Sequence, residues 1–279
     1  MFKCIKFKLR YVLALTTVIK HVYLWSMEKR FISSNAQPQQ DAYHTKWQAP
    51  SNIALVKYWG KTLPQIPKNA SLSFTLSDAQ TKTEVNFTPL GAPTKKVSFS
   101  ILFEGEEKPS FRPKLEAFFD LITAYQPFLL HYDIAISSHN TFPHSSGIAS
   151  SASSMAALAA CLVDLESQLS PMDEKLKLEK TSFLARLGSG SASRSVQGPM
   201  MAWGTHPSVI ASSDLIAVTV NDIHPIFTTY CDTILLVDKG QKQVSSTLGH
   251  KLMHNHPYAS QRFAQANSQL AALLSVLKS

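Results

Sequence analysis

The spacing of apolar and polar positions divides the chain after residue 50 into strands and helices. Alternation or short apolar runs predict strands, and apolar residues three or four apart predict helices. Strands are predicted at 53–59, 70–77, 81–89, 96–105, 132–140, 213–220 and 232–238, with a turn at 77–80. Helices are predicted at 112–126, about 149–165, about 173–187 and 256–278, with a short one within 191–198. Groups of strands followed by helices favour an α+β fold over a doubly wound parallel sheet.

The first 45 residues differ from the rest and are predicted to be an extension or leader. Their uncharged run, 11–19, is too short to span a bilayer. We expect the start of the native protein at Met27; the alternatives are a signal peptide and an amphipathic anchor that lies on a membrane surface. The polar segment 31–45 lacks periodicity and predicts a linker. We expect two domains to follow, at 46–210 and 211–279, with the strands at 213–220 and 232–238 in the second.

The charge distribution narrows the choice of partners. The net charge is +8, but residues 1–30 hold seven basic residues and one acidic residue, which leaves +2 for the other 249. The folded body is therefore not expected to bind nucleic acid or a membrane. Three scattered cysteines, Cys4, Cys161 and Cys231, form no C-x-x-C pair and indicate a reducing compartment, which we take to be the cytoplasm.

The serine-rich stretch "FPHSSGIASSAS", residues 142–153, lies where a predicted helix begins. The first N–H groups of a helix lack internal partners, and the helix dipole is positive there, so this position suits a phosphate. Gly147 permits close backbone approach, and Ser150, Ser151 and Ser153 add hydroxyl groups. The alternative interpretation, a serine-capped alanine-rich core helix, explains this stretch equally well by itself. The stretch is not a Walker-type phosphate loop.

Two further segments favour an anion site. "APSNIALVKYWGK", residues 49–61, places Lys57 and Lys61 around Tyr58 and Trp59. "RLGSGSASRS", residues 186–195, is a Gly/Ser loop that ends near Arg194, whose forked guanidinium suits phosphate or carboxylate.

Together these segments closely resemble the diphosphomevalonate decarboxylase family of the GHMP kinase superfamily. "NIALVKYWGK" is similar to its N-terminal signature, "FPHSSGIASSAS" to the superfamily phosphate motif with Ile148 in place of leucine, and "GSGSASRS" to a decarboxylase motif with Ser193 in place of cysteine. "IPKNASLSFTLS" and "VSSTLGH" follow the family in order. The resemblance implies a GHMP kinase fold, with a ribosomal protein S5 domain 2-like N-terminal domain and a partial ferredoxin-like C-terminal domain.

The resemblance also implies an activity and a set of site residues. The implied reaction is the ATP-dependent decarboxylation of (R)-5-diphosphomevalonate to isopentenyl diphosphate, a carbon–carbon lyase reaction, with Mg²⁺ carried by ATP rather than by protein side chains. Full-length members are expected to be homodimers. The implied catalytic residues are Lys57 and Arg194. The implied substrate-binding residues are Tyr58, Trp59, Lys61, Ser193 and Arg194. The implied ATP-binding residues are Asn69, Ser71, Ser73, Gly147, Ser150, Ser151 and Ser153.

Two alternatives stay open at this point. The serine motif alone fits a GHMP-type kinase of mevalonate or phosphomevalonate, and a non-catalytic fragment is the other possibility. Family members supply a catalytic aspartate after the "VSSTLGH" region, whereas no acidic residue follows Asp238 in this chain. We therefore expect the chain as given to be catalytically incomplete, with Leu270, Leu273 and Leu274 of the last helix exposed. We expect His250, His254 and His256 to be surface or capping residues rather than metal ligands.

Overall fold

The computed structural model describes residues 26–33, 35–143, 148–233, 235, 249–250 and 252–279. Its elements confirm the α+β class. The strands are β1 (Tyr43–Val56), β2 (Lys61–Thr62), β3 (Ile66–Pro67), β4 (Ser71–Pro89), β5 (Ser98–Phe103), β6 (Glu106–Glu107), β7 (Tyr132–Asn140), β8 (Met200–Trp203) and β9 (Ala217–Thr219). The α-helices are α1 (Arg112–Ile122), α2 (Ser150–Leu169), α3 (Glu174–Gly188) and α4 (Ala259–Lys278), and a 3₁₀ helix spans Gly190–Ser195.

The long strand β4 organises the main sheet. It pairs antiparallel with β1 along most of its length, with β7 through Thr81–Pro89 and with β8 through Ser71–Phe74. The predicted turn at 77–80 is wrong, because both halves of β4 pair with the same partner strand and the chain continues in one direction. The polar residues there form an irregularity in the pairing, which shifts register between Pro50 and Ser51 of β1.

The main core lies between one face of this sheet and helices α1, α2 and α3. The apolar residues of α1 predicted from their spacing, Leu115, Phe118, Phe119 and Ile122, are all buried. Helix α2 begins one residue after the predicted position and is alanine-rich, which lets it pack closely against β1 and α3. Strand β7 alternates buried and exposed positions, as expected for a half-buried strand.

A second core forms where α4 packs on Leu72, Met200 and Ala202 of the sheet. The predicted exposure of the α4 leucines is wrong: Leu270 and Leu274 are buried, and Leu273 is partly buried against the same cluster. These leucines are covered because the sheet presents an apolar surface on this face.

The strand predicted at 213–220 is short and lies in the main sheet, where β9 pairs with β8. The sequence had placed it in a second domain. The strand predicted at 232–238 falls largely outside the described residues. The domain boundaries at 45 and 210, and a ferredoxin-like arrangement after residue 210, stay predictions.

The linker predicted at 31–45 is also wrong at both ends. Phe31 is fully buried, and its ring stacks on Phe183 of α3 with the centroids 4.4 Å apart. Tyr43–Thr45 are the first residues of β1. A nonperiodic sequence can still supply one apolar side chain to a core, and periodicity does not detect a single anchor. Among the described residues, no helix is long and apolar enough to cross a membrane.

Candidate active site

Arg194 is the centre of the candidate site. Its side chain is 2% exposed and donates Nε–H to Ser73 Oγ at 3.0 Å, Nη1–H to Ser71 Oγ at 2.5 Å and Nη2–H to Asn52 Oδ1 at 3.3 Å. Burial lowers the pKa of Arg194 to about 10, which still leaves it charged at neutral pH. Within the described part of the chain it forms no ion pair with a carboxylate. A buried cation without an acidic partner is uncommon and suits an anionic ligand.

The period-two geometry of β4 explains why the two serines meet Arg194. Ser71 and Ser73 point to one face of the strand, while Leu72 between them points to the face that α4 covers. The alternating pattern of this segment therefore carries two functions, a polar wall on one face and a core on the other. Ser71 and Ser73, expected at ATP, are placed against Arg194, and their contact with ATP stays a prediction.

Tyr58 forms an aromatic wall beside Arg194, whose guanidinium carbon is 5.9 Å from the ring centroid. The Tyr58 ring packs edge-on against Trp203 and is stacked on His250, with the ring centroids 4.4 Å apart in the stack. Burial raises the pKa of the Tyr58 hydroxyl, so this group is neutral. Gly190 permits the close packing, because a Cβ there would lie 2.7 Å from Trp203.

The two predicted lysines differ in their surroundings. Lys61 donates Nζ–H to Gln65 Oε1 at 2.7 Å, and burial lowers the pKa of the Lys61 ammonium. Lys57 is exposed, one residue after the end of β1. Burial lowers the pKa of His250, and the Lys61 charge adds to this shift.

Asn69, Ser193 and Trp59 hold the local structure. Asn69 accepts from Trp59 N at 2.9 Å and donates to Lys57 O at 3.0 Å, which fixes the segment that carries Tyr58. Ser193 is fully buried and donates to Gly190 O at 2.8 Å. Trp59 packs against the α4 side, with the Arg262 guanidinium 4.0 Å from its ring centroid. Direct ligand contacts by these three residues stay predictions.

The residue at the N-cap position of helix α2 supplies no side-chain cap. Its N-cap residue is Ala149, at φ +52°, whereas α3 is capped by Asp173, which accepts from Leu176 N at 2.8 Å. The N-cap position is therefore not a serine, and residues 144–147 before it lie outside the described part of the chain. A helix N-terminus next to a residue with positive φ suits an anionic ligand.

The serines of α2 point in different directions. Ser151 is exposed, whereas Ser153 is buried with its hydroxyl 2.6 Å from Thr81 Oγ1. Gly147 lies outside the described residues. Ser150 and Ser151 also line a cavity of about 120 Å³. Its other lining residues are Thr83, Ile101, Phe103, Phe111, Lys114, Leu115, Ile136, Ser138, Ser154, Met155 and Leu158.

Comparison with known proteins decides the family. Residues 49–214 match the model for the diphosphomevalonate decarboxylase-like N-terminal domain. This range includes the start of α2 and the Arg194 pocket, which consists of Arg194 and its partners Asn52, Ser71 and Ser73. The chain belongs to this family. It is 33% identical over 220 residues to the diphosphomevalonate decarboxylase ERG19 of Gibberella zeae, covering 74% of this chain and 55% of the relative. The chain thus spans about half the length of the curated relatives it matches.

Solved structures of the decarboxylase family share the fold. The mevalonate diphosphate decarboxylase of Staphylococcus aureus superposes with a TM-score of 0.68 at 28% identity, over 85% of this chain and 68% of that one. A structure of MDDEF in complex with MVAPP, AMPPCP and magnesium superposes with a TM-score of 0.66 at 27% identity, over 85% and 69%. These matches confirm the GHMP kinase-type fold expected from the resemblance.

The structure adds two site residues that sequence reasoning did not identify. Asn52 accepts from Arg194 and donates to Ser195 Oγ at 2.8 Å, and Ser51 donates its hydroxyl to Ile148 O. These neighbours in β1 thus join the Arg194 pocket to the start of α2. Both lie within "APSNIALVKYWGK". The only sign of a role in the site was that they are polar residues in a segment expected to be buried.

Proposed function

We propose that the protein is a diphosphomevalonate decarboxylase, which converts (R)-5-diphosphomevalonate and ATP to isopentenyl diphosphate, ADP, phosphate and CO₂. The observation that carries the proposal is Arg194, a buried guanidinium without an acidic partner among the described residues. The proposal draws support from relatives named for this activity and from a related structure that binds MVAPP, AMPPCP and magnesium.

The nucleotide end of the site lies at α2 in this proposal. The phosphates of ATP bind at its N-terminus beside Ser150 and Ser151, and the apolar cavity behind these serines accepts the base. The hydroxyl groups there fit a phosphate-bound Mg²⁺, since hydroxyl and phosphate oxygens are hard ligands. Mg²⁺ would neutralise phosphate charge when bound.

The substrate end lies at Arg194. The guanidinium holds the carboxylate or diphosphate of the substrate, Lys61 adds a second positive charge, and Tyr58 forms the wall. A tertiary alcohol is a poor leaving group, so ATP first converts it to a phosphate ester. As the phosphate leaves C3, the electrons of the bond to the carboxylate carbon form the new double bond and CO₂ departs. Lys57 assists this charge redistribution electrostatically.

Product analysis tests the proposal. The chain is incubated with ATP, Mg²⁺ and diphosphomevalonate labelled in its carboxylate, and ADP and CO₂ are quantified after binding of each ligand has been measured separately. We expect both ligands to bind. Equal amounts of ADP and CO₂ support the lyase, and ADP without CO₂ assigns a GHMP-type kinase. Binding of both ligands without turnover indicates a non-catalytic fragment, and a folded chain that binds neither ligand contradicts the proposal.

The proposal also covers the cellular location and the oligomeric state. We place the protein in the cytoplasm, since Cys161 is buried and Cys231 is exposed, and both are free thiols. We also expect a homodimer for the full-length family. Size measurement by light scattering tests the oligomeric state.

A further inference from the structure

The hairpin formed by β2 and β3 carries Lys61 and turns through Leu63, Pro64 and Gln65. Gln65 has φ +60°, a region that residues other than glycine rarely occupy. Such a conformation persists only where surrounding contacts hold it. The same residue accepts the Lys61 Nζ–H bond through Oε1. The conformation of this single turn residue therefore determines where the Lys61 acceptor lies.

Arg186 of α3 holds the turn from beneath. Its side chain is fully buried and donates Nη1–H to Pro64 O at 2.6 Å and to Gln65 O at 3.4 Å. A third bond joins Nε–H to Leu215 O at 2.8 Å. Two of these acceptors are the carbonyls on either side of the Gln65 residue, so the guanidinium restrains the backbone at the strained position.

The charge of Arg186 is balanced from the N-terminal segment. Its Nη2 lies 3.9 Å from Glu28 Oε1 and makes no hydrogen bond. Burial lowers the pKa of Arg186 to about 10, and the Glu28 charge opposes this shift. Burial of a charged guanidinium is unfavourable, and this one donates its hydrogen bonds to backbone carbonyls. Packing alone therefore does not explain its position.

We propose that Arg186 and Gln65 are positioning residues for Lys61: Arg186 fixes the turn, and Gln65 holds the ammonium in one orientation through its Oε1 acceptor. A lysine held in place before binding loses less rotamer freedom when an anion arrives. Helix α3 continues from Arg186 into the turn that carries Arg194. One segment of chain therefore carries Arg186, which holds the Lys61 turn, and Arg194 itself. This inference rests on the proposed function for the identity of the anion.

A double-mutant cycle tests the inference with (R)-5-diphosphomevalonate as the probe, measured by calorimetry. Gln65→Gly keeps the positive φ and removes the acceptor, and we expect binding about tenfold weaker. In a Lys61→Ala background the same change should alter affinity by less than about twofold, because its effect passes through Lys61. Leu63→Gln, a change in the same turn at a side chain that is 89% exposed, is the matched control and should bind as the parent does. Equal losses from Gln65→Gly with and without Lys61 would overturn the inference.

A ligand-free measurement separates this inference from the proposed function. In a protein with isotope-labelled lysines, the Lys61 ammonium resonance is assigned by its loss in Lys61→Ala. In the parent protein we expect its chemical shift to differ from those of exposed lysines such as Lys95. In Gln65→Gly and in Arg186→Lys we expect the shift to move to the value of the exposed lysines. Lysine cannot replace Arg186 because one ammonium does not reproduce the forked guanidinium. Thermal melting checks that both variants fold. An unmoved Lys61 resonance in folded Gln65→Gly refutes the inference even if the ligand binds. A moved resonance in a chain that does not bind diphosphomevalonate refutes the proposed function and leaves the positioning of Lys61 intact.

Discussion

Arg194 combines two properties that rarely occur together, burial of all but 2% of its surface and no acidic partner among the described residues. The hydroxyls of Ser71 and Ser73 and the amide of Asn52 accept three of its five N–H groups. These neutral acceptors orient the guanidinium without cancelling its charge. At the residue scale, the site is therefore built to keep a cation ready for an anion.

Replacement of Arg194 should separate the two ligands of the proposed function. We expect Arg194→Ala to weaken binding of a diphosphomevalonate analogue by about 1.5–3 kcal/mol, the cost of losing a charged hydrogen-bond donor, while ATP affinity stays the same. Calorimetric titration with each ligand measures this. Arg112→Ala, which removes an exposed arginine from α1, is the control. Equal losses for both ligands would contradict the assignment of Arg194 to the substrate.

A negative charge at the start of α2 should repel ATP. Ser151 is exposed in the first turn, so Ser151→Glu places a carboxylate beside the expected phosphates. We expect a clear loss of ATP–Mg²⁺ affinity in a fluorescence titration. Ser167→Glu, the same change near the other end of this helix, should bind normally. Unchanged affinity in Ser151→Glu would place the phosphates elsewhere.

At the scale of elements, the segment before β1 is part of the fold. Phe31 stacks on Phe183 of α3, and Glu28 accepts from the Tyr125 hydroxyl at 3.2 Å and lies near Arg186. The segment thus ties α3 to the end of α1 through one aromatic ring and one carboxylate. It also balances the charge of the arginine that holds the Lys61 turn.

This anchoring predicts opposite outcomes for two changes near the N-terminus. Phe31→Ala should lower the free energy of unfolding by about 3–5 kcal/mol, because it leaves a cavity at a fully buried site. A chain that begins at Met27 should melt at the temperature of the full chain, since it retains Glu28 and Phe31. Denaturant unfolding followed by circular dichroism measures the free energy, and thermal unfolding measures the melting temperature. A marked loss of stability in the shortened chain would show that residues 1–26 contribute to the fold.

At the scale of the whole molecule, the sheet has a separate function for each face. One face packs on α1, α2 and α3 and carries the Arg194 pocket, whereas the other is covered by α4. Asn267 of α4 accepts from Ala70 N at 3.1 Å, at the start of the strand that carries Ser71 and Ser73. The last helix therefore supports the strand that orients Arg194.

The covering of the sheet by α4 can be tested with two truncations in one helix. Leu270 is fully buried, so Leu270→Ala should destabilise the protein by about 2–5 kcal/mol. Val276 is 55% exposed, and Val276→Ala should change stability by less than about 0.5 kcal/mol. Thermal unfolding measures both. Similar small effects from the two changes would contradict the packing of α4 on the sheet.

The sequence by itself determined the fold class, the family and most of the helices. Local spacing decides these features, because the buried residues of a helix or of a half-buried strand recur at a fixed interval along the sequence, as in α1 and β7. The start of α2 and the Gly/Ser-rich segment that carries Arg194 could also be located, since each lies in a short contiguous motif.

The tertiary structure alone decided which distant residues meet. Whether Ser77–Gln80 forms a turn or an irregular strand depends on β1 pairing with both flanks, and the burial of Leu270 depends on a sheet face that its own helix does not encode. Likewise, nothing in the sequence near Asn52 or Ser71 indicates that folding brings their side chains into contact with Arg194. Contacts between residues more than 100 positions apart leave no periodic signal in a single sequence, because only the packed sheet brings them within hydrogen-bond distance.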